Sequence, residues 1–194
     1  DNGDEPDGLD EALIPYDARR RFEQGVYEGE NHLRDDELEV LLEVIRRKIG
    51  PKGDLTLVLD ACHSGTADRD SDEDVYVRGT AYVFAPPGYV PQNNTEDDVV
   101  YDINSASDLA PMTVIAACQP DQINYEYRDP GNTIYYGSLT YALCGIIEKA
   151  NEIPYHTLHG ELSRRIGEQS SKRRHIQTPL LETTDEKKAF RIGR

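Results

Sequence analysis

Two short apolar runs set the terms on which this chain can fold. Residues 54–61, DLTLVLDA, and residues 112–118, MTVIAAC, are rich in Leu and β-branched residues and almost free of polar interruption. Runs of that length read as strands covered on both faces, not as the alternating strands of a one-sided sheet. A helix comes before the first of them. Leu38, Leu41, Leu42, Ile45 and Ile49 recur at helical spacing within residues 35–49. Asp35 or Asp36 is placed to cap that helix, and Glu37 and Glu39 lie near its positive end. Arg46, Arg47 and Lys48 suit its negative end, and Gly50-Pro51 stops it. A helix followed by a buried strand predicts an α/β fold with a mostly parallel sheet flanked by helices.

The rest of the chain fills in around these anchors. Asp1 to Glu11 is a carboxylate-rich loop carrying Gly3, Pro6 and Gly8, and residues 13–16 form a short apolar anchor. Residues 19–29 read as an exposed excursion. Between the two strands runs a long polar loop, from Thr66 to about Ala110, a length that in a compact domain marks a functional or cleavable segment. Residues 75–84 within it are expected to pair as a hairpin. Helices are predicted over 138–150 (Leu139, Ala142, Leu143, Ile146 and Ile147 on one face) and over 156–169 (Leu158, Leu162, Ile166). Residues 177–181 are expected to be extended, with a last strand near 189–192. No internal repeat is present.

Charge narrows the partners. With 37 Asp and Glu against 21 Lys and Arg, the 194 residues carry a formal net charge of −16. That balance argues against nucleic acid or an anionic membrane held through phosphate contacts, and leaves cations and basic peptides. No apolar run approaches the roughly 20 residues a membrane span needs. The 3 Cys form no CxxC pair. They read as thiols of a reducing, cytoplasmic compartment rather than as a disulfide or zinc framework.

Chemistry is expected where the first strand ends, because ligands of open α/β sheets bind beyond the carboxyl ends of strands. Asp60-Ala61-Cys62-His63-Ser64-Gly65 stands there. Cys62 falls where a buried strand meets a Gly-containing turn, and the strand's period of two puts Asp60 on the same face. Free Cys is more often a packing residue than a nucleophile. Cys118, at the end of an apolar strand, and Cys144, on an apolar helix face, are assigned to packing. Asp60 would raise a thiol pKa and is a poor base for Cys62. It is better suited to receive a cationic side chain, Arg above all, through paired hydrogen bonds. The Cys62 N–H can serve as an oxyanion donor. His63, adjacent in sequence, points away from its neighbour.

The segment DACHSG after a hydrophobic strand resembles the nucleophile motif of caspase-like cysteine peptidases, in particular metacaspases and orthocaspases. Other segments match in order: GDEPDGLDEALIPYD, RDDELEVLLEVI, VIAACQPDQINYE, YGSLTYAL and QTPLLE. The resemblance spans nearly the whole chain. It implies a caspase-hemoglobinase-like α/β fold and Cys62 as the nucleophile. Residues 1–65 would end a large-subunit-like region, 66–110 would be the activation linker, and 111–194 a small-subunit-like region.

The resemblance also implies what must be supplied. The family's catalytic His precedes the acidic loop, and none of His32, His63, His156, His159 and His175 stands at that position. A complementary N-terminal segment carrying the His, and completing the sheet, is therefore expected as a partner. Asp60 matches the family's acidic specificity position and implies cleavage after Arg or Lys, with Asp121 bordering the same pocket and Glu126 a weaker candidate. Asp10, Asp35, Asp36 and Asp68 match an Asp cluster that binds activating calcium. Arg78-Gly79 is the preferred processing site, with Arg69 a second. A pseudo-enzyme or scaffold of the same fold, or a calcium-responsive binding module, stands as the alternative.

Overall fold

The computed structural model describes residues 10–62, 76–80, 82–90, 103, 106–120, 122–171, 176–185 and 188–191. Of the sequence candidates, His63, Asp68, Arg69, Asp121 and His175 lie outside the described residues. Two short strands, β1 (Ala12–Leu13) and β2 (Leu33–Arg34), pair antiparallel and lead into helix α1 (Asp35–Ile49). The helix begins where the sequence predicts, but its start is held differently. Arg34 is the capping residue, and its N–H donates to the Glu37 carboxylate at 3.2 Å. Asp35 is the first helical residue rather than the cap.

Strand β3 (Leu55–Leu59) lies parallel to β4 (Met112–Ala116), with Leu57 opposite Val114. Two two-residue strands, β5 (Glu126–Tyr127) and β6 (Tyr136–Gly137), form a ribbon that leads into helix α2 (Ser138–Ile147). Then follow β7 (Glu152–Pro154), helix α3 (Tyr155–Ser171), β8 (Leu180–Thr183) and β9 (Ala189–Arg191). β8 runs antiparallel to β4 on the side away from β3, giving the order β3-β4-β8, and β7 pairs with β9. The described sheet is thus mixed: its first pair is parallel, its second antiparallel.

Period-two alternation splits the core into two layers. Met112 and Val114 of β4, with Leu55, Leu57 and Leu59 of β3, face α1 and pack with Leu38 and Leu42. Ile115 and Ala117 face the other way, onto Leu139, Ala142, Leu143 and Ile146 of α2 and Leu158, Leu162 and Ile166 of α3. Thr56, on that second face, shares a 2.6 Å hydrogen bond with the Tyr155 hydroxyl, which fixes the start of α3 against the sheet. Each buried aliphatic side chain contributes about 1.5–3 kcal/mol to the folded state.

The apolar stripe of α1 is only partly used. Leu42 is buried, whereas Leu41, Val44, Ile45 and Ile49 are exposed. Buried beside Leu42 is Arg46, whose Nε donates to the Ala110 carbonyl at 2.8 Å and ties the helix to the lead-in of β4. β3 is the outer strand of the described sheet, since its strand partner is β4 alone. Cys144 corrects the sequence reading: it is exposed, on the side of α2 opposite Leu139, Ala142 and Leu143. Residues 76–80 and 82–84 also depart from expectation. Among those described, no two pair as a hairpin; Val77 bridges Tyr125 in antiparallel fashion, so this part of the loop pairs across to the β5 segment.

Candidate active site

β3 ends at Leu59, and the parity of the strand carries Asp60 and Cys62 onto the face that α2 approaches. The first turn of α2 is built to receive Asp60. Thr140 donates to Asp60 Oδ2 from its backbone N–H at 2.9 Å and from its hydroxyl at 2.5 Å. Asp60 therefore caps α2 from a distant part of the chain, with its charge at the positive helix end. Gly137, just before the helix, is required by this approach, because a Cβ there would collide with the Asp60 carboxylate. Asp60 Oδ1 accepts from Asn124 Nδ2 at 2.9 Å.

Asn124 is fully buried and joins the site to its support. Its side-chain oxygen accepts from Ser138 Oγ at 3.1 Å and Gln177 Nε2 at 2.9 Å. Gln177 Nε2 also donates to Ser138 Oγ at 2.6 Å and to the Ala117 carbonyl at 3.0 Å. Every polar group named in this network has a partner, which a buried network requires if it is to hold geometry rather than cost stability. The backbone N–H of Asn124 donates to Cys62 Sγ at 3.2 Å. One residue thus orients both the carboxylate and the thiol.

Residues 76–79 lie across this site, with Val77 bridged to Tyr125. Arg78 N–H donates to the Asn124 carbonyl at 2.9 Å, and Glu126 N–H donates to the Tyr76 carbonyl at 2.8 Å. The Arg78 carbonyl accepts from the Cys62 N–H at 2.9 Å, the donor singled out from the sequence for an oxyanion. The Arg78 guanidinium points into the acidic recess. Its Nε donates to the Asp60 backbone carbonyl at 2.7 Å, and its Nη1 donates to Glu126 Oε1 at 3.1 Å. The Asp60 carboxylate stands farther off, with Nε to Oδ1 at 3.8 Å. Gly79 follows directly over the thiol. A Cβ there would overlap the Cys62 carbonyl oxygen and come within 3.0 Å of Sγ.

The structure therefore brings Cys62, Asp60 and Arg78 together and adds Glu126 as the carboxylate nearest the guanidinium. Asn124, Ser138, Thr140 and Gln177, which sequence reasoning did not single out, position them. Glu126 is the weaker candidate named from the sequence, and Asn124 lies two residues before it on the same side of the segment; the others meet only through packing. Burial first, and then the Cys62 charge, push the Tyr125 phenol above its usual pKa.

The described histidines are engaged elsewhere. His32 sits in an aromatic cluster 4.3 Å from the Phe84 ring with Nε2 3.2 Å from the Arg19 carbonyl, His156 contacts Thr157, and His159 Nε2 is 3.0 Å from the Pro179 carbonyl. Asp10, Asp35 and Asp36 gather at the start of α1. Arg34 reaches Asp10 Oδ2 at 3.5 Å. The Asp35 carboxyl is pushed up, by burial first and further by the charges of Asp36 and Asp10, against the opposing pull of backbone N–H donors. Its Oδ1 is buried and meets no hydrogen-bond donor among the described residues. Carboxylate oxygens suit a hard cation such as calcium. Among the described residues, however, no group of three or more His, Cys, Asp or Glu side chains is arranged to hold a metal.

A thiol at a strand end, an acidic recess beside it and an arginyl carbonyl that accepts from the Cys62 backbone N–H thus meet in one cleft. The chain belongs to the caspase domain family, whose model matches residues 2–190. Among its relatives, Metacaspase-1B of Aspergillus terreus is 30% identical over 105 residues, covering 54% of this chain and 22% of the relative. Metacaspase-2 of Arabidopsis thaliana is 27% identical over 161 residues, covering 81% of this chain and 32% of the relative. The chain thus spans between about a fifth and a third of the length of these relatives.

Proposed function

We propose that this chain is the nucleophile-bearing part of a cysteine endopeptidase that cuts after Arg or Lys. The observation that carries the reading is the Arg78 carbonyl on the Cys62 N–H at 2.9 Å, with the Arg78 guanidinium on Glu126 at 3.1 Å. In that geometry the chain's own strand stands in for a substrate. The arginyl carbonyl is polarised by the donor that would hold the oxyanion, and the acidic recess is filled by a basic side chain.

The Cys62 thiolate attacks the carbonyl carbon after the basic residue and forms an S–C bond. The C–N bond then breaks, and the amine leaves with a proton delivered by an imidazolium. Water next hydrolyses the thioester and restores the thiol. The imidazole comes from a segment N-terminal to Asp1, docked on the outer edge of β3 and on the exposed Leu41, Val44 and Ile45 of α1. Asp60 and Glu126 bind the substrate without taking part in bond making.

Arg78-Gly79 in the cleft favours this bond as a processing site, with Arg69 as a second. Processing there would divide a large-subunit-like part ending near residue 65 from a small-subunit-like part beginning near 111. Calcium, if recruited by Asp10, Asp35 and Asp36 together with Asp68, would activate by neutralising the crowded carboxylates at the start of α1. The direct test compares a fluorogenic Arg peptide with an Asp peptide on the full-length protein, with Cys62→Ala as control. Turnover of the Arg peptide that disappears in Cys62→Ala is expected; preference for the Asp peptide would refute the basic recess.

A further inference from the structure

We infer that the cleft also reads the third residue before the cut, and that Tyr135 is the aromatic surface that reads it. The inference rests on the peptidase reading, in which residues 76–78 lie as a substrate would. Two backbone hydrogen bonds fix the register of that strand: Arg78 N–H to the Asn124 carbonyl and Glu126 N–H to the Tyr76 carbonyl. The antiparallel bridge of Val77 to Tyr125 puts the residues on either side of Val77 toward the same wall. Arg78 goes to Glu126. Tyr76, two residues earlier, goes to Tyr135, with the ring centres 4.5 Å apart and the planes at 66°.

That edge-to-face contact is within the range in which aromatic pairs attract beyond their buried area. Tyr135 is also held from behind. The Arg128 guanidinium lies 4.9 Å over its ring. The neighbouring Tyr136 and Tyr141 rings stand 5.7 Å apart, and Tyr141 is fixed by a 2.6 Å hydrogen bond from its hydroxyl to Asp129. That bond, with burial and the charge of Asp129 adding to it, pushes the Tyr141 phenol up to about 12. The ring that meets Tyr76 is already engaged by Arg128 before a substrate ring arrives. The substrate class that fits has an aromatic residue, any residue, then Arg, followed by a small residue, because Gly79 leaves no room for a Cβ over Cys62.

Fluorogenic tripeptides test this on the full-length protein. Tyr-Val-Arg, Phe-Val-Arg, Ala-Val-Arg and Tyr-Val-Asp are compared by kcat/KM in the wild type, in Tyr135→Ala and in Tyr135→Phe. The aromatic Arg peptides are expected to exceed Ala-Val-Arg by roughly five- to tenfold. That ratio should collapse toward one in Tyr135→Ala and persist in Tyr135→Phe. Equal turnover of the Arg peptides by the wild type overturns the aromatic subsite while leaving the peptidase reading intact, and needs no variant to fold. A preference that survives Tyr135→Ala overturns the assignment to that residue. Faster cleavage of Tyr-Val-Asp than of Tyr-Val-Arg, or no cleavage of either, overturns the peptidase reading and the subsite with it.

Discussion

The Asp60 carboxylate accepts from Asn124 Nδ2 and from both donors of Thr140, so most of its bonding capacity faces the protein and not the cleft. Glu126 is placed oppositely, with its carboxylate on the Arg78 guanidinium. The two acids should therefore fail in different ways. Asp60→Ala removes a helix cap and leaves Asn124 short of an acceptor. It is expected to cost about 1–3 kcal/mol of stability together with activity. Glu126→Gln keeps shape and hydrogen bonding but removes the charge. It should lower kcat/KM for Arg peptides about tenfold or more with little change in unfolding midpoint. Thermal unfolding alongside peptide kinetics separates the two, and a loss of stability shared equally by both variants would contradict the division of labour. The sequence makes Cys62 and Asp60 visible, because both follow from one strand end. It hides Asn124, Ser138 and Gln177, which lie 14 and 53 residues apart along the chain and meet only when β4, α2 and the 176–179 segment pack.

Among the elements, β8 carries a group that works against the fold at neutral pH. Glu182 sits opposite Val114 of the central strand, with Oε2 buried and no hydrogen-bond partner among the described residues. Burial alone pushes its carboxyl above the usual range. The folded chain thus binds that proton more tightly than the unfolded chain. The contribution to stability is fully present below the unfolded pKa and is lost as pH rises through the higher folded one. Glu182→Gln should therefore raise the unfolding midpoint by roughly 1–3 °C at pH 7 and lose that advantage at about pH 4, measured by thermal melts across pH. An equal gain at both pH values would contradict the cause given. The long elements were legible because their apolar periodicity extends over several turns or over a whole strand: α1, α2, α3, β3 and β4 lie within a few residues of where the sequence puts them. β5, β6 and β7, of two or three residues, are too short to carry a period, and their pairing depends on partners elsewhere in the chain. Cys144 was misassigned for a related reason: α2 is apolar nearly all round, so composition could not say which side faces the core.

At the scale of the molecule, a net charge of −16 sits on a chain whose acids crowd the start of α1 and line the cleft. Calcium at Asp10, Asp35, Asp36 and Asp68 would relieve part of that repulsion. Millimolar calcium is expected to raise the unfolding midpoint of the full-length protein by a few degrees, an effect Asp35→Asn should reduce sharply. No shift with calcium would remove the cation from the account. Among the described residues, the outer edge of β3 and the exposed Leu41, Val44 and Ile45 of α1 are the surfaces on which the proposed complementary segment, the proposed source of the imidazole, would dock. The central claim, that Cys62 cuts peptide bonds after a basic residue seated on Glu126, is tested most directly on the protein's own strand. Purified full-length wild type and Cys62→Ala are incubated side by side, and new amino termini are identified by mass spectrometry. The account predicts a fragment beginning at Gly79 in the wild type and none in Cys62→Ala. The same fragment in both proteins, or wild-type cleavage confined to sites after acidic residues, would contradict it.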